Sequence, residues 1–351
     1  MESIAEHCLR RRSARCKLHI ATRRLLHTHA MTETRPPIVV QEVGLRDGAQ
    51  SLARTIPTAV KLRWIDAAYA AGVRHMEVAS FVPPRLLPQM ADAAAVVAHA
   101  LTLPGLRVAA LAPNLKGAQL ALAAGVHDLV APLSVSTAHS LANVRKTPQA
   151  MVDEFQQIVA WRDSSGSRTR IVAGLSTVFG CTLQGEVPLH DVCELARLSL
   201  QAGADTIALA DTTGHATPLQ VGEVIAAVRA IAGAKLTTLH LHDTRGMGLA
   251  NTVVALQHGI RSFDASLAGL GGCPHAPGAT GNVVAEDLVF MLESMGYATG
   301  IDLPRLLEVR AIIAQALPGE PLYGYLARAG MPAGYGARQA AALPLSQGHA
   351  A

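Results

Sequence analysis

His240 and His242 stand two residues apart in the run LTTLHLH, residues 236–242. If that run is a strand, both imidazoles leave the same face of it. A lone strand histidine is more often a rim or core residue. A same-face pair at a strand end, with a carboxylate closing another strand, points instead to a shared metal ion. Asp47 supplies that carboxylate. Two imidazoles, one carboxylate and an amide oxygen form a hard-to-intermediate set that suits Mg2+ or Mn2+ with open water positions. Zinc fits less well, because no thiolate lies in register with the pair. Arg46 precedes Asp47. Neighbours on a strand face opposite ways, so the two are not expected to pair, which leaves the guanidinium as a fixed donor for a developing oxyanion. Cys273 sits in GLGGCPHAPGATGN, residues 269–282, a stretch nearly without large side chains. A free cysteine is often a small buried hydrophobe, and the stretch could be a plain glycine-rich loop. It offers little core to fill, however, so a thiol able to enter and leave a site is the better reading.

These residues need a scaffold that brings distant parts of the chain to one mouth. From residue 38 one theme repeats: a short β-branched run, a polar or glycine-rich break, then an alanine- and leucine-rich helical stretch. The strand candidates are IVVQEVG, HMEVASF, LRVAALA, HDLVAPLSV, RIVAGLSTV, DTIALA, LTTLHLH and SFDASLAG. Alternating strands and helices imply parallel β-α-β units. Eight units in about 250 residues is the count of a (β/α)8 TIM barrel. A doubly wound sheet would want a G-x-G-x-x-G turn after its first strand, where this chain has GLRDGAQ. Two further helical stretches follow the eighth unit, so the expected fold is an α/β TIM barrel with extra C-terminal helices. Barrel chemistry lies at the C-terminal strand ends. Polar residues expected there include Arg46, Asp47, Glu77, Ser80, Asn114, Ser134, Ser136, Asp211, Thr212, His240, His242 and Asp243.

The chain has 351 residues, half of them hydrophobic and 16% charged, which is enough for a barrel-sized core. Every apolar run is interrupted before the roughly 18–20 residues of a membrane span. Aromatic residues make up 3%, too few for stacking platforms on single-stranded nucleic acid. The formal charge is +4, but residues 1–30 carry seven basic and two acidic side chains, or +5, leaving −1 for the rest. A near-neutral body argues against a nucleic-acid partner. Residues 1–30 read as a disordered basic tail, either a presequence or an over-extended start ahead of Met31. The barrel domain is expected over 31–330 and a loose tail over 331–351. Location follows the tail: cytoplasmic for a bacterial chain, mitochondrial matrix if the tail is a genuine presequence. Five cysteines without a C-x-x-C pair suit a reducing compartment.

The segments EVGLRDGAQ, EVASFVPPRLLPQMAD, APNLKG, ADTTGHATP, HLHDTRGMGLAN and GLGGCPHAPGATGNVVAEDLVFMLESMG together resemble the hydroxymethylglutaryl-CoA lyase family, in order from about residue 38 to about 317. The glycine-cysteine loop is the most specific of them. The Arg-Asp-Gly turn and the H-x-H pair are shared with a wider metal-dependent superfamily that includes condensing enzymes. The resemblance implies a divalent metal, Mg2+ or Mn2+, held by Asp47, His240, His242 and Asn282. It implies that Arg46 contacts the thioester carbonyl, that Glu77 and Asp211 stand near the substrate, and that Cys273 is a mobile acid/base. Gln50, Ser80, Asn143 and Thr212 join Arg46 as implied substrate contacts, and Glu42 matches a further polar position. The implied reaction is retro-Claisen cleavage of 3-hydroxy-3-methylglutaryl-CoA, or a close acyl-CoA thioester analogue, to acetyl-CoA and acetoacetate, as used in leucine catabolism and ketone-body formation. Asp47, Asp211 and His240 are unranked candidates for the base. The usual state of the family is a homodimer, with no nucleic-acid or membrane partner. Departures from the family pattern at Leu45, Ala49–Leu52, Ala53, Arg245 and His275 leave the exact acyl group open. The alternatives are a condensing acyltransferase of the isopropylmalate or homocitrate synthase type and a non-catalytic barrel.

Overall fold

The computed structural model describes residues 37–272 and 281–335. Cys273, His275, residues 1–30 and most of the 331–351 tail lie outside them. Eight strands close a parallel barrel in sequence order, β8 returning to β1. They are β1 (Val39–Glu42), β2 (His75–Ser80), β3 (Arg107–Leu111), β4 (Asp128–Ser134), β5 (Arg170–Ser176), β6 (Thr206–Asp211), β7 (Leu236–Leu241) and β8 (Ser262–Ala265). The helices between them are α1 (Thr58–Ala70), α2 (Ala93–Ala100), α3 (Leu115–Ala123), α4 (Thr137–Val144), α5 (Pro148–Ser164), α6 (Leu189–Gln201), α7 (Pro218–Ala232) and α8 (Gly248–Gln257). After the barrel come α9 (Ala285–Ser294), α10 (Leu303–Ala316) and the short α11 (Tyr325–Ala329). The TIM barrel with extra C-terminal helices is therefore the fold.

Local chemistry sets many boundaries. Pro148 and Pro218 open α5 and α7, where a missing N–H costs nothing. Thr217 and Gln220 close a capping box on α7. The outward strand side chains, such as Leu129, Ile171, Ile207 and Leu239, are fully buried against helix residues such as Ile65, Val97, Val192 and Ile225. That shell is the main core. No helix among the described residues is long and apolar enough to cross a membrane.

Two expectations need correction. The first strand was read through Gly44 with Arg46-Asp47 at its end, but β1 stops at Glu42 and residues 44–48 form a tight π-helical turn. The Val43 carbonyl accepts N–H groups from Arg46 and Asp47 at 3.1 and 2.7 Å. The strand rule that kept Arg46 and Asp47 apart thus does not apply, and the two are paired. The eighth strand, read as 262–269, ends at Ala265; Ala268 then takes φ 59°, a left-handed turn no strand can hold. Tyr335, the last described residue, is buried against Phe290.

Candidate active site

Asp47, His240 and His242 converge at the C-terminal strand ends, all three buried, with one ligand atom from each inside a 4.8 Å sphere of mutual distance. His240 ends β7 one residue early and His242 follows it. Their Nε2 atoms are 3.2 Å apart, and His242 Nε2 is 3.4 Å from Asp47 Oδ2. The other His240 nitrogen, Nδ1, bonds Asp264 Oδ2 at 3.1 Å. That bond makes Nδ1 the N–H of a neutral ring and leaves Nε2 as a lone pair aimed at the cluster. Lone pairs on His240, His242 and Asp47 crowding one point repel unless a cation lies between them. The donor set therefore fits a divalent metal, and no thiol joins it among the described residues.

Asn282 reaches the same point from beyond β8. It forms a bridge with His242, and its Nδ2 donates to Asp47 Oδ2 at 2.7 Å and to the Leu270 carbonyl at 3.0 Å. Its Oδ1 is buried without a partner. A half-turn of the amide exchanges the two atoms and presents the oxygen to the cluster, the arrangement a cation would select. Gly281 makes this close approach possible: its φ is 108°, and a Cβ there would lie 2.1 Å from the Gly269 carbonyl oxygen.

Arg46 lies beside the cluster. Its Nε donates to Glu77 Oε2 at 2.7 Å, and its Nη1 meets Asp47 Oδ1 at 2.5 Å. Burial alone would raise the Asp47 pKa, but Arg46 and the two imidazoles hold it well below the usual range. Asp47 therefore stays an anion, as a ligand must. Burial works against charge on His240, yet Asp264 and Asp47 push its pKa upward. Burial also raises Glu77, with Arg46 pulling the other way. Only one Glu77 oxygen is used; Oε1 is buried without a partner.

The remaining expected residues divide. Gln50 joins the cluster, donating to Asp47 Oδ1 at 3.3 Å. Ser80 is fully buried at the end of β2 with an unpartnered hydroxyl. Asp211 accepts the backbone N–H groups of His215 and Ala216 at 2.8 and 3.0 Å, so its carboxylate organises the loop after β6; burial raises its pKa against those bonds. Thr212 is held by the Thr177 N–H. Asn143 is exposed on α4 and shares no hydrogen bond with the cluster. Asn114 and Ser136 are N-caps of α3 and α4, Ser134 pairs with His139, and Asp243 accepts from Gly248 N–H. Those four are used locally.

Two carboxylates escaped the sequence reading of the site. Asp264 is opposite His240 in the β7–β8 register. A carboxylate inside an otherwise apolar strand, level with a strand histidine, was the available signal. Glu286 is fully buried and accepts the Ala268 N–H, with Arg310 at 3.2 Å. Glu42 gains an account as well. Its two oxygens accept Gly44 and Leu267 N–H groups at 2.8 and 2.9 Å, tying the turn after β1 to the turn after β8. At Gly44, an added Cβ would lie 2.4 Å from that Glu42 carboxylate. Burial pushes Glu42 up to about 8 and Glu286 to about 7.

The HMGL-like family model matches residues 38–313. The hydroxymethylglutaryl-CoA lyase of Bacillus subtilis is 39% identical over 285 residues, covering 81% of this chain and 94% of that protein. The mitochondrial hydroxymethylglutaryl-CoA lyase of Bos taurus is 37% identical over 85% of this chain and 91% of that one. An HMG-CoA lyase from Acinetobacter baumannii, solved with coenzyme A and 3-methylmalate, superposes with a TM-score of 0.79 at 39% identity, covering 84% of this chain and 95% of that chain.

Proposed function

The chain belongs to the HMGL-like family, and on that premise we propose that it is a divalent-metal-dependent lyase cleaving 3-hydroxy-3-methylglutaryl-CoA to acetyl-CoA and acetoacetate. The observation that carries this reading is the buried Asp47–His240–His242 triad with Arg46 against it. The relative solved with coenzyme A supports an acyl-CoA thioester as substrate. Mg2+ or Mn2+ is the cation we assign, because the donors are imidazole and oxygen. The condensing and non-catalytic alternatives are not favoured by relatives that carry lyase names. A homodimer is the proposed assembly, from the family resemblance.

The chemistry needs a proton removed from the tertiary hydroxyl, a carbon–carbon bond broken, and a proton delivered to carbon. A cation held by Asp47, His240, His242 and Asn282 would bind the hydroxyl and lower its pKa. The three base candidates stay unranked, because each is already engaged: His240 holds Asp264 through Nδ1 and faces the cluster through Nε2. Asp47 is held as an anion by Arg46, a poor proton acceptor, and the Asp211 carboxylate is occupied by two backbone N–H groups. As the bond breaks, its electron pair moves onto the acetyl-CoA fragment as an enolate, and acetoacetate leaves with the new ketone. The Arg46 guanidinium, fixed by Glu77 and Asp47, donates to the enolate oxygen. Cys273 gives its proton to the enolate carbon, and the proton taken from the hydroxyl restores the thiol.

Mass-spectrometric product analysis with Mg2+ or Mn2+ tests the reading. Acetyl-CoA and acetoacetate in equal amounts are expected from 3-hydroxy-3-methylglutaryl-CoA. Turnover only of longer-branched or citramalyl thioesters would move the substrate assignment, and no cleavage of any of them would remove the lyase.

A further inference from the structure

The interior of a parallel eight-stranded barrel is ordinarily filled by layers of bulky side chains. Here the middle of the lumen is lined by Ala109, Val130, Val172 and Ala208, and a cavity of about 270 Å³ occupies it. Val130, Ala208 and Thr238 face that cavity and are only partly buried, while their outward neighbours Leu129, Leu209 and Leu239 are fully buried. At those three positions the lumen side is the more exposed one, while Ala109 and Val172 on the same lining are buried.

The cavity has two distinct ends. At the N-terminal face, Asp128 opens β4 between Arg107 and Arg170, which open β3 and β5; the guanidinium contacts are 2.5–2.6 Å. These two arginine side chains are 36% and 40% exposed, so solvent reaches this end. At the inner end stand Arg46, Glu77 and Asp264, behind the triad. Two buried polar atoms on the lining residues have no protein partner: Thr206 Oγ1 near the rim and Glu77 Oε1 at the inner end. Glu77 is 1% exposed. A cavity of this size with a polar lining has room for water and groups to bond it. The charges on the lining balance, three guanidinium groups against three carboxylates, so no net field selects an anion or a cation there.

We propose that the barrel lumen is a water-filled rear passage joining the N-terminal face to the inner side of the Arg46–Glu77 pair. Water entering there reaches the inner side of that pair, opposite the catalytic mouth. The rear of the site thus stays in exchange with bulk solvent whatever covers the mouth. The passage is a property of the scaffold and stands apart from the identity of the substrate.

Thiol accessibility in the folded full-length chain tests it. Ala208→Cys places a small reporter midway along the lumen, and methyl methanethiosulfonate is the probe, with the modified peptides quantified by mass. Cys181, buried and outside the lumen lining, is the internal control. The introduced thiol is expected to react about tenfold or more faster than Cys181, since reaction follows access. Adding Thr206→Phe at the rim is expected to slow it to the rate of the control. If that plug lowers the melting temperature enough to confound the result, Ser262→Leu on β8 closes the same end. A reporter no more reactive than Cys181 would show a sealed lumen and overturn the passage. A fast reporter indifferent to either plug would place the entrance at the catalytic mouth and overturn it equally.

Discussion

Asp264 decides which nitrogen of His240 faces the cluster. Through its bond to Nδ1 it fixes both ring orientation and tautomer, and Gln41 Nε2, at 3.2 Å from its other oxygen, steadies it in turn. Asp264→Asn keeps the shape but can turn an N–H toward the ring. Mn2+ affinity, read by titration calorimetry, should drop about 10- to 100-fold, as for other partners of ligating histidines. An unchanged affinity would mean the ring is held by packing alone. At Cys273 the expectation is kinetic. Cys273→Ser offers a far weaker acid of similar size, so turnover per folded molecule should fall by roughly 10² or more with Mn2+ affinity unchanged. Near-normal turnover with a lowered melting temperature would return that thiol to a packing role.

The elements that hold these residues are short turns rather than strands. The π-helical turn after β1 and the turn after β8 are tied together by Glu42, and the chain re-enters the site through Gly281. Gly281→Ala forces a methyl against the Gly269 and Gly271 carbonyls in a left-handed backbone. A stability loss of about 1–3 kcal/mol is expected from the backbone term alone, with weaker Mn2+ binding beside it. Calorimetric unfolding and metal titration of one variant check both. The contrast between strands and turns also sets what could be read from residues alone. All eight strands were legible, because a β-branched run between glycine-rich breaks is a strong local pattern. The pair His240 and His242 was legible for the same reason: a strand alternates. Arg46 beside Asp47 was misjudged, because a π-helical turn has no local signature and obeys no alternation. Asp264 was invisible as a site residue because its importance comes from register with β7, a long-range relation. Glu42 and Glu286 were illegible in role, since what they bond is backbone N–H from turns far away in sequence.

At the scale of the whole molecule, stability should depend on pH through those buried carboxyls. Glu42 and Glu286 ordinarily titrate near 4.5 and are displaced to about 8 and about 7 in the fold. Between those limits the folded chain holds more protons than the unfolded one, so stability is greatest on the acid side and falls as pH rises through the window. Without added metal, the urea midpoint should fall from pH 5.5 to pH 8.5, and Glu42→Gln should flatten that slope; a midpoint rising over the same range would reverse the assignment. The triad has a different consequence. Asp47 and His242 are 195 positions apart in sequence, and Asp47 and Asn282 are 235 apart. The ligands come from both sides of the β1–β8 junction, so a growing chain has no metal site until nearly the whole barrel has been synthesised and closed. A cation bound there would act as a clasp across the seam where the last strand meets the first. Its binding energy is absent from any early folding nucleus and must appear in the barrier to opening. Saturating Mn2+ should therefore slow unfolding in urea several-fold while leaving the refolding rate close to that of the metal-free chain, a pair of rates that stopped-flow fluorescence of Trp64 and Trp161 would separate.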